Sequence, residues 1–89
     1  MPAVARVSID LVGGAIIVGP GEVSVKVNGL VISVINDTVA SHGSGPHAAA
    51  TIVSASSTVF ANGKAVVRVG DSASCGDLVS TGSPNVFAG

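Results

Sequence analysis

His42, His47 and Cys75 are the residues of this 89-residue chain whose types and spacing could do chemistry. Four residues separate the two histidines, within the three-to-five range of paired imidazole ligands, and Cys75 lies one repeat later in the corresponding loop. Solvated loop histidines and a small buried cysteine are the plainer alternative, but placement in corresponding loops favours a shared metal. Imidazole with thiolate suits zinc, with iron as the other candidate, and such a site would add folding energy that a small core lacks.

Three protein ligands with an open fourth position is also the arrangement of catalytic zinc, so a small metal-dependent hydrolase is the alternative function. The residues around the site give it little support. Asp77 is the nearest candidate base in sequence, and its plainer role is a solvated loop charge. A Cys75–His nucleophile pair has no third residue to orient it, and no Gly-x-Ser-x-Gly elbow occurs. A body of short strands also leaves little room for a substrate pocket of about 300 Å³.

The elements that must position these loops are read from the stretch Ser57 to Cys75. Two β-prone runs, Thr58 to Ala61 and Ala65 to Val69, flank Asn62-Gly63, a pair suited to a hairpin turn with positive φ at both central residues. A Gly-Asp loop, Gly70-Asp71, follows. The unit recurs 34 residues earlier: Val25-Lys26-Val27 leads into Asn28-Gly29, then Leu30 to Val34, with Asp37 in the place of Asp71. Asn28, Gly29, Asn62 and Gly63 are therefore structural turn residues. A third copy is split between the termini, where Gly82 to Gly89 matches Ala55 to Gly63 and Pro2 to Val7 matches Lys64 to Val69. It closes only if the chain ends meet, so three hairpin repeats around a pseudo-threefold axis are expected.

These residues carry a resemblance. Pro2-Ala3-Val4-Ala5-Arg6-Val7, Lys64-Ala65-Val66-Val67-Arg68-Val69-Gly70-Asp71 and the ending Gly82-Ser83-Pro84-Asn85-Val86-Phe87 are similar to the proline-alanine-alanine-arginine (PAAR) repeat proteins. The resemblance implies an all-β, cone-shaped fold of three pseudo-threefold hairpin repeats with a metal site near the vertex. It implies a structural, non-enzymatic role: one copy caps and sharpens a trimeric β-helical spike of a contractile phage tail or type VI secretion system that pierces a cell envelope. Effector cargo can accompany such tips.

Family members hold zinc through three histidines and one cysteine from successive repeat loops, and His42, His47 and Cys75 match three of these by position. The first loop departs from the pattern. Where the family reads Asp-Pro-x-x-His-Gly-Gly, this chain reads Asp10-Leu11-Val12-Gly13-Gly14. The fourth ligand is thus unassigned, with water, Asp10 or another nearby oxygen as candidates.

Composition agrees with a small β body that has a partner. Eighty-nine residues make one domain, 1–89, whose folding hides only about 60 to 65% of the unfolded surface. Two Phe, no Trp, no Tyr and many Val, Ile and Ala favour thin, closely spaced sheets. Charged residues form 10% of the chain against about 25% in an average domain, and the net charge is −1, which excludes a nucleic-acid footprint. So low a charge at mean hydropathy +0.71 points to a surface that is covered by another chain or is inert, and a partner is expected.

One cysteine excludes an internal disulfide. The run Leu11 to Val18 reads as a buried strand and not as a signal peptide, because Asp10 and Gly13-Gly14 interrupt it and no cleavage site follows. Production in the bacterial cytoplasm without a signal peptide is expected, with the protein then carried on a virion tail or exported by the injection machine. With no linker, low-complexity tail or second domain along these residues, no fused toxin is expected.

Further along the chain, Val23, Val25 and Val27 alternate with Ser24 and Lys26 as a strand with one face inside. Asn36 to Ala48 reads as the longest loop. Arg6 and Arg68 share one repeat position and Asp37 and Asp71 another. They read as surface pairs worth at most about 1 kcal/mol, or, more sharply, as bonds between repeats that fix loop geometry.

Overall fold

In the computed structural model, which describes residues 1–89, both Asn-Gly pairs turn the chain with positive φ, 55° and 80° at Asn28-Gly29 and 50° and 82° at Asn62-Gly63. Glycine carries no penalty there, and asparagine tolerates the left-handed region better than most residues. The first pair joins β3 (Glu22–Val27) to β4 (Leu30–Ile32), and the second joins β6 (Phe60–Ala61) to β7 (Lys64–Ala65). Lys26 lies opposite Val31 in one hairpin and Phe60 opposite Ala65 in the other. The third hairpin is closed by the chain ends, with Ala3 opposite Phe87.

The three hairpins meet in a ring of backbone hydrogen bonds. Ala5 N–H donates to Val67 C=O, Val67 N–H to Ser33 C=O, and Ser33 N–H to Ala5 C=O, at 2.9 to 3.1 Å. All three residues are fully buried. Each of these buried donors is thereby satisfied by the preceding repeat around the axis. Small side chains are required, because three backbones converge on one axis.

A second layer repeats the symmetry above the first. Ile17, Ile52 and Val79 donate their N–H groups to the carbonyls of Asp10, Asp37 and Asp71. The same three residues pair with Val39, Ala73 and Val12. Ile17 belongs to β2 (Ala15–Gly19), which pairs with β1 (Leu11–Val12) and β5 (Thr38–Val39).

Around these rings the buried apolar residues form two clusters. One spans Ala5, Val7, Val12, Ile17, Val39, Ile52, Val67 and Val79, and the other includes Val4, Ile32, Val66, Val27, Ala61 and Ala88 near the hairpin turns. Each fully buried Val or Ile contributes roughly 1.5 to 3 kcal/mol by removal from water. The overall extents, 32 × 23 × 23 Å, give two equal transverse dimensions, as a threefold axis along the third requires. The all-β body of three hairpins about a pseudo-threefold axis expected from the repeats is the architecture observed.

Three local expectations need correction. Val23 is 68% exposed, although alternation along β3 placed it inside. A register shift between Glu22 and Lys26 breaks the period, and Glu22 is buried in its place, accepting from Ser24 Oγ at 2.9 Å. The 36–48 segment is not one loop: it contains β5 and a 3₁₀ turn at Gly45–Ala48.

The arginine–aspartate pairs are not surface pairs either. Asp10 and Asp71 are 1% and 5% exposed, and each accepts from the backbone N–H and the guanidinium of its arginine, Arg6 or Arg68. Each also takes a hydroxyl from the preceding repeat around the axis, Thr81 for Asp10 and Ser54 for Asp71. The carboxylates therefore fix turns and tie repeats together, and each raises the pKa of its arginine through the side-chain hydrogen bond.

Candidate metal centre

The loops that follow the second ring carry the histidines and the cysteine. The chain between β5 and Ala50 is shaped by Gly45, at φ +63°, and by Pro46 at the start of the 3₁₀ turn. His47 N–H donates to Ser44 C=O and His42 N–H to His47 C=O at 3.1 Å, which folds the segment back and brings the two imidazoles together. Their ring centroids are 5.0 Å apart, edge to face. Cys75 arrives on the short loop between Ala73 and Asp77, closed by Gly76 N–H donating to Ala73 C=O.

The structure thus brings His42, His47 and Cys75 to one place, and it adds Asp77. One ligand atom from each of the four residues lies within 4.8 Å of the others. His42 Nε2 is 2.9 Å from Asp77 Oδ2, 3.2 Å from His47 Nδ1 and 3.8 Å from Cys75 Sγ. Asp77 Oδ2 is 3.3 Å from His47 Nδ1 and 3.5 Å from Cys75 Sγ.

Tetrahedral zinc with ordinary bond lengths places nitrogen and oxygen ligands about 3.3 Å apart and sulfur about 3.6 Å from either. Five of the six separations, at 2.9 to 3.8 Å, lie near those values, and the remaining pair, His47 with Cys75, is within 4.8 Å. The donor set therefore fits a four-coordinate ion, and the group could hold a metal.

Supporting contacts orient the ligands. His42 Nδ1 is 2.9 Å from Ala40 C=O and donates to it, which leaves Nε2 to face the cluster. That bond, followed by Asp77, raises the pKa of His42, while hydrogen bonding from His42, then from Cys75, lowers that of Asp77. Two acceptors, a neutral Nε2 and a carboxylate, cannot share a 2.9 Å contact without a cation between them, either a proton or a metal ion.

Asp77, which the sequence alone reads as a solvated loop charge, contacts both histidines and Cys75 in the structure. Asp10, one of the candidate oxygens for the fourth ligand, is instead engaged by Arg6 and Thr81. The signal for Asp77 lay in the repeat: it occupies the position two residues before Val79 that Ala15 and Ala50 occupy before Ile17 and Ile52. The shortened first loop also finds its role here. An added Cβ on Gly13, at φ +57°, would collide with Asp77 Oδ2 and Cγ. The Gly-Gly loop thus makes room for the Asp77 carboxylate.

A cavity of about 310 Å³ exists after all, but it lies against Asp37 and Lys64 and includes none of the four cluster residues.

Fold and site together define a small pseudo-threefold β body with a His-His-Cys-Asp cluster. The PAAR motif family model matches residues 10–81, and the chain belongs to that family. A search of the curated proteins finds no match. Membership supports a spike-tip role in contractile injection systems, which is a structural role. No helix is long and apolar enough to cross a membrane.

Proposed function

We propose that this protein is a non-enzymatic spike tip, one copy of which caps the end of a trimeric β-helical spike and stiffens its point with a zinc ion held by His42, His47, Cys75 and Asp77. The observation that supports it most is the closure of three equivalent hairpins, the last made from the two chain ends, into one pseudo-threefold base. A single chain with such a base can present one surface to each strand of a trimer. Phe60 and Phe87 occupy equivalent positions beside the hairpin turns and are exposed, as are Val59, Val86 and Met1. Burying each phenylalanine on a partner is worth about 1.5 to 3 kcal/mol.

At the cluster, a metal bridging two loops supplies rigidity where there is little packing. Delivery on a phage tail or by a type VI secretion system follows from this role, as does transient contact with the target envelope, and docked effector cargo is compatible with it. Mixing the chain with the C-terminal β-helix of its trimeric spike tests the reading by native mass measurement. A complex of one chain with three spike chains is expected. Absence of a complex, or three copies per trimer, would overturn it.

A further inference from the structure

The three equivalent aspartates are not equally served. A carboxylate offers about four lone-pair sites. Asp10 receives four donors: the N–H and Nε of Arg6 on Oδ2, and Arg6 Nη2 with Thr81 Oγ1 on Oδ1. Asp71 also receives four, from the N–H, Nε and Nη2 of Arg68 and from Ser54 Oγ. Asp37 receives three, all neutral: Val34 N–H and Ser33 Oγ on Oδ2, and Gly21 N–H on Oδ1. It is 2% exposed and pairs with no cation. The cause is one residue, because Val34 stands where the other repeats have Arg6 and Arg68.

The cavity of about 310 Å³ lies at this position, with Pro20, Gly21, Val34, Asp37 and Lys64 among its walls. It is the rotational counterpart of the space that the Arg6 guanidinium fills. Arg6 reaches from Asp10 to Gly82 C=O and to Asn28 Oδ1, both at 3.3 Å. Gly82 follows Val79 by three residues, as Pro20 follows Ile17, and Lys64 follows the Asn62 turn as Leu30 follows Asn28. Lys64 is not the substitute cation. Its Nζ lies 3.4 Å from Glu22 Oε2, and it makes no bond to Asp37.

We propose that this cavity binds a guanidinium group, carried either by a small molecule or by an arginine side chain of another protein. A guanidinium N–H donates to the remaining lone pair of Asp37 Oδ1, and its flat faces pack between Pro20 and Val34. A buried carboxylate is costly without a counter-charge, and a planar fork suits it better than a compact ammonium.

The test is an amide-resolved NMR titration of the full chain with methylguanidinium. Saturable shifts confined to Gly21, Val34, Asp37 and their neighbours are expected, with a Kd of about 1 to 10 mM, as befits so small a ligand. Methylammonium should bind at least about tenfold more weakly. A blocked Gly-Arg-Gly tripeptide separates the sources: tighter binding than methylguanidinium identifies an arginine side chain, and equal binding a small guanidinium compound. Lys64→Met should tighten binding by removing a like charge from the wall. Val34→Arg supplies the cation within the chain and should abolish binding while raising the melting temperature. Asp37→Asn should weaken binding at least about tenfold. Absence of saturable shifts up to about 50 mM, equal affinity for methylammonium, or unchanged binding in Asp37→Asn or Val34→Arg would overturn the proposal.

Discussion

Replacing Gly13 by alanine, with Gly14→Ala as its control, separates the cost of backbone strain from the cost of a disturbed ligand. Both glycines have positive φ, 57° and 84°, so both substitutions carry a penalty of about 1 to 2 kcal/mol for placing a side chain in the left-handed region. Their surroundings differ. A Cβ at Gly14 meets nothing within 4 Å, whereas one at Gly13 meets the carboxylate of Asp77. Asp77 cannot yield without leaving His42 Nε2 and Cys75 Sγ, both within 3.5 Å of its Oδ2.

Zinc affinity should therefore fall in Gly13→Ala by about 10- to 100-fold, or about 1.4 to 2.8 kcal/mol, and stay near the parent value in Gly14→Ala. Competition with a chromophoric chelator measures the affinity, and melting with excess chelator measures the strain alone. Chelated protein should lose similar stability in both variants. Equal loss of zinc affinity in the two, or none in Gly13→Ala, would refute the placement of Asp77 as a ligand.

Other consequences concern charge and metal. Asp71→Ala removes one partner of a buried pair and should cost about 3 to 5 kcal/mol in urea denaturation, well beyond the 1 kcal/mol or so of a surface pair. A loss under about 1 kcal/mol would return the pair to the surface class. In metal-free protein the raised His42 pKa gives stability that is full below 6.5 and lost as pH rises through the folded value. The lowered Asp77 pKa gives stability that is present above 3.8 and lost as pH falls through the folded value. Relative to Asp77→Asn, metal-free protein should thus be most stabilised between about pH 4 and 6.5. Zinc requires deprotonated ligands, so its stabilisation should instead grow from about pH 5.5 to 8. Melting curves with chelator and with zinc at both pH values check the two opposite slopes, and a zinc shift independent of pH would contradict them.

Much of the fold was legible because its determinants are local or periodic. Asn28-Gly29 and Asn62-Gly63 announce their turns, and the echo of Val25–Val34 in Val59–Arg68, completed by Pro2–Val7 and Phe87, announces the threefold closure. What escaped depends on distant chain. Asp10 is buried because Thr81, 71 residues away, and the Arg6 guanidinium satisfy it, and no local pattern encodes that. Val23 is exposed because a bulge shifts the register of β3, and alternation alone cannot reveal a bulge.

In the cluster, His42, His47 and Cys75 stood out by residue type and by repeat position. Asp77 did not, because carboxylates in loops are common and its role depends on the space left by Gly13.

The arrangement of the cluster is tested most directly by X-ray absorption spectroscopy at the zinc edge, on protein purified without a His-tag and loaded with one equivalent of metal. One sulfur at about 2.3 Å and three nitrogen or oxygen ligands at about 2.0 to 2.2 Å are expected, with the sulfur lost in Cys75→Ser. A shell without sulfur, or a metal content near zero after refolding with zinc, would contradict a zinc clip made by His42, His47, Cys75 and Asp77.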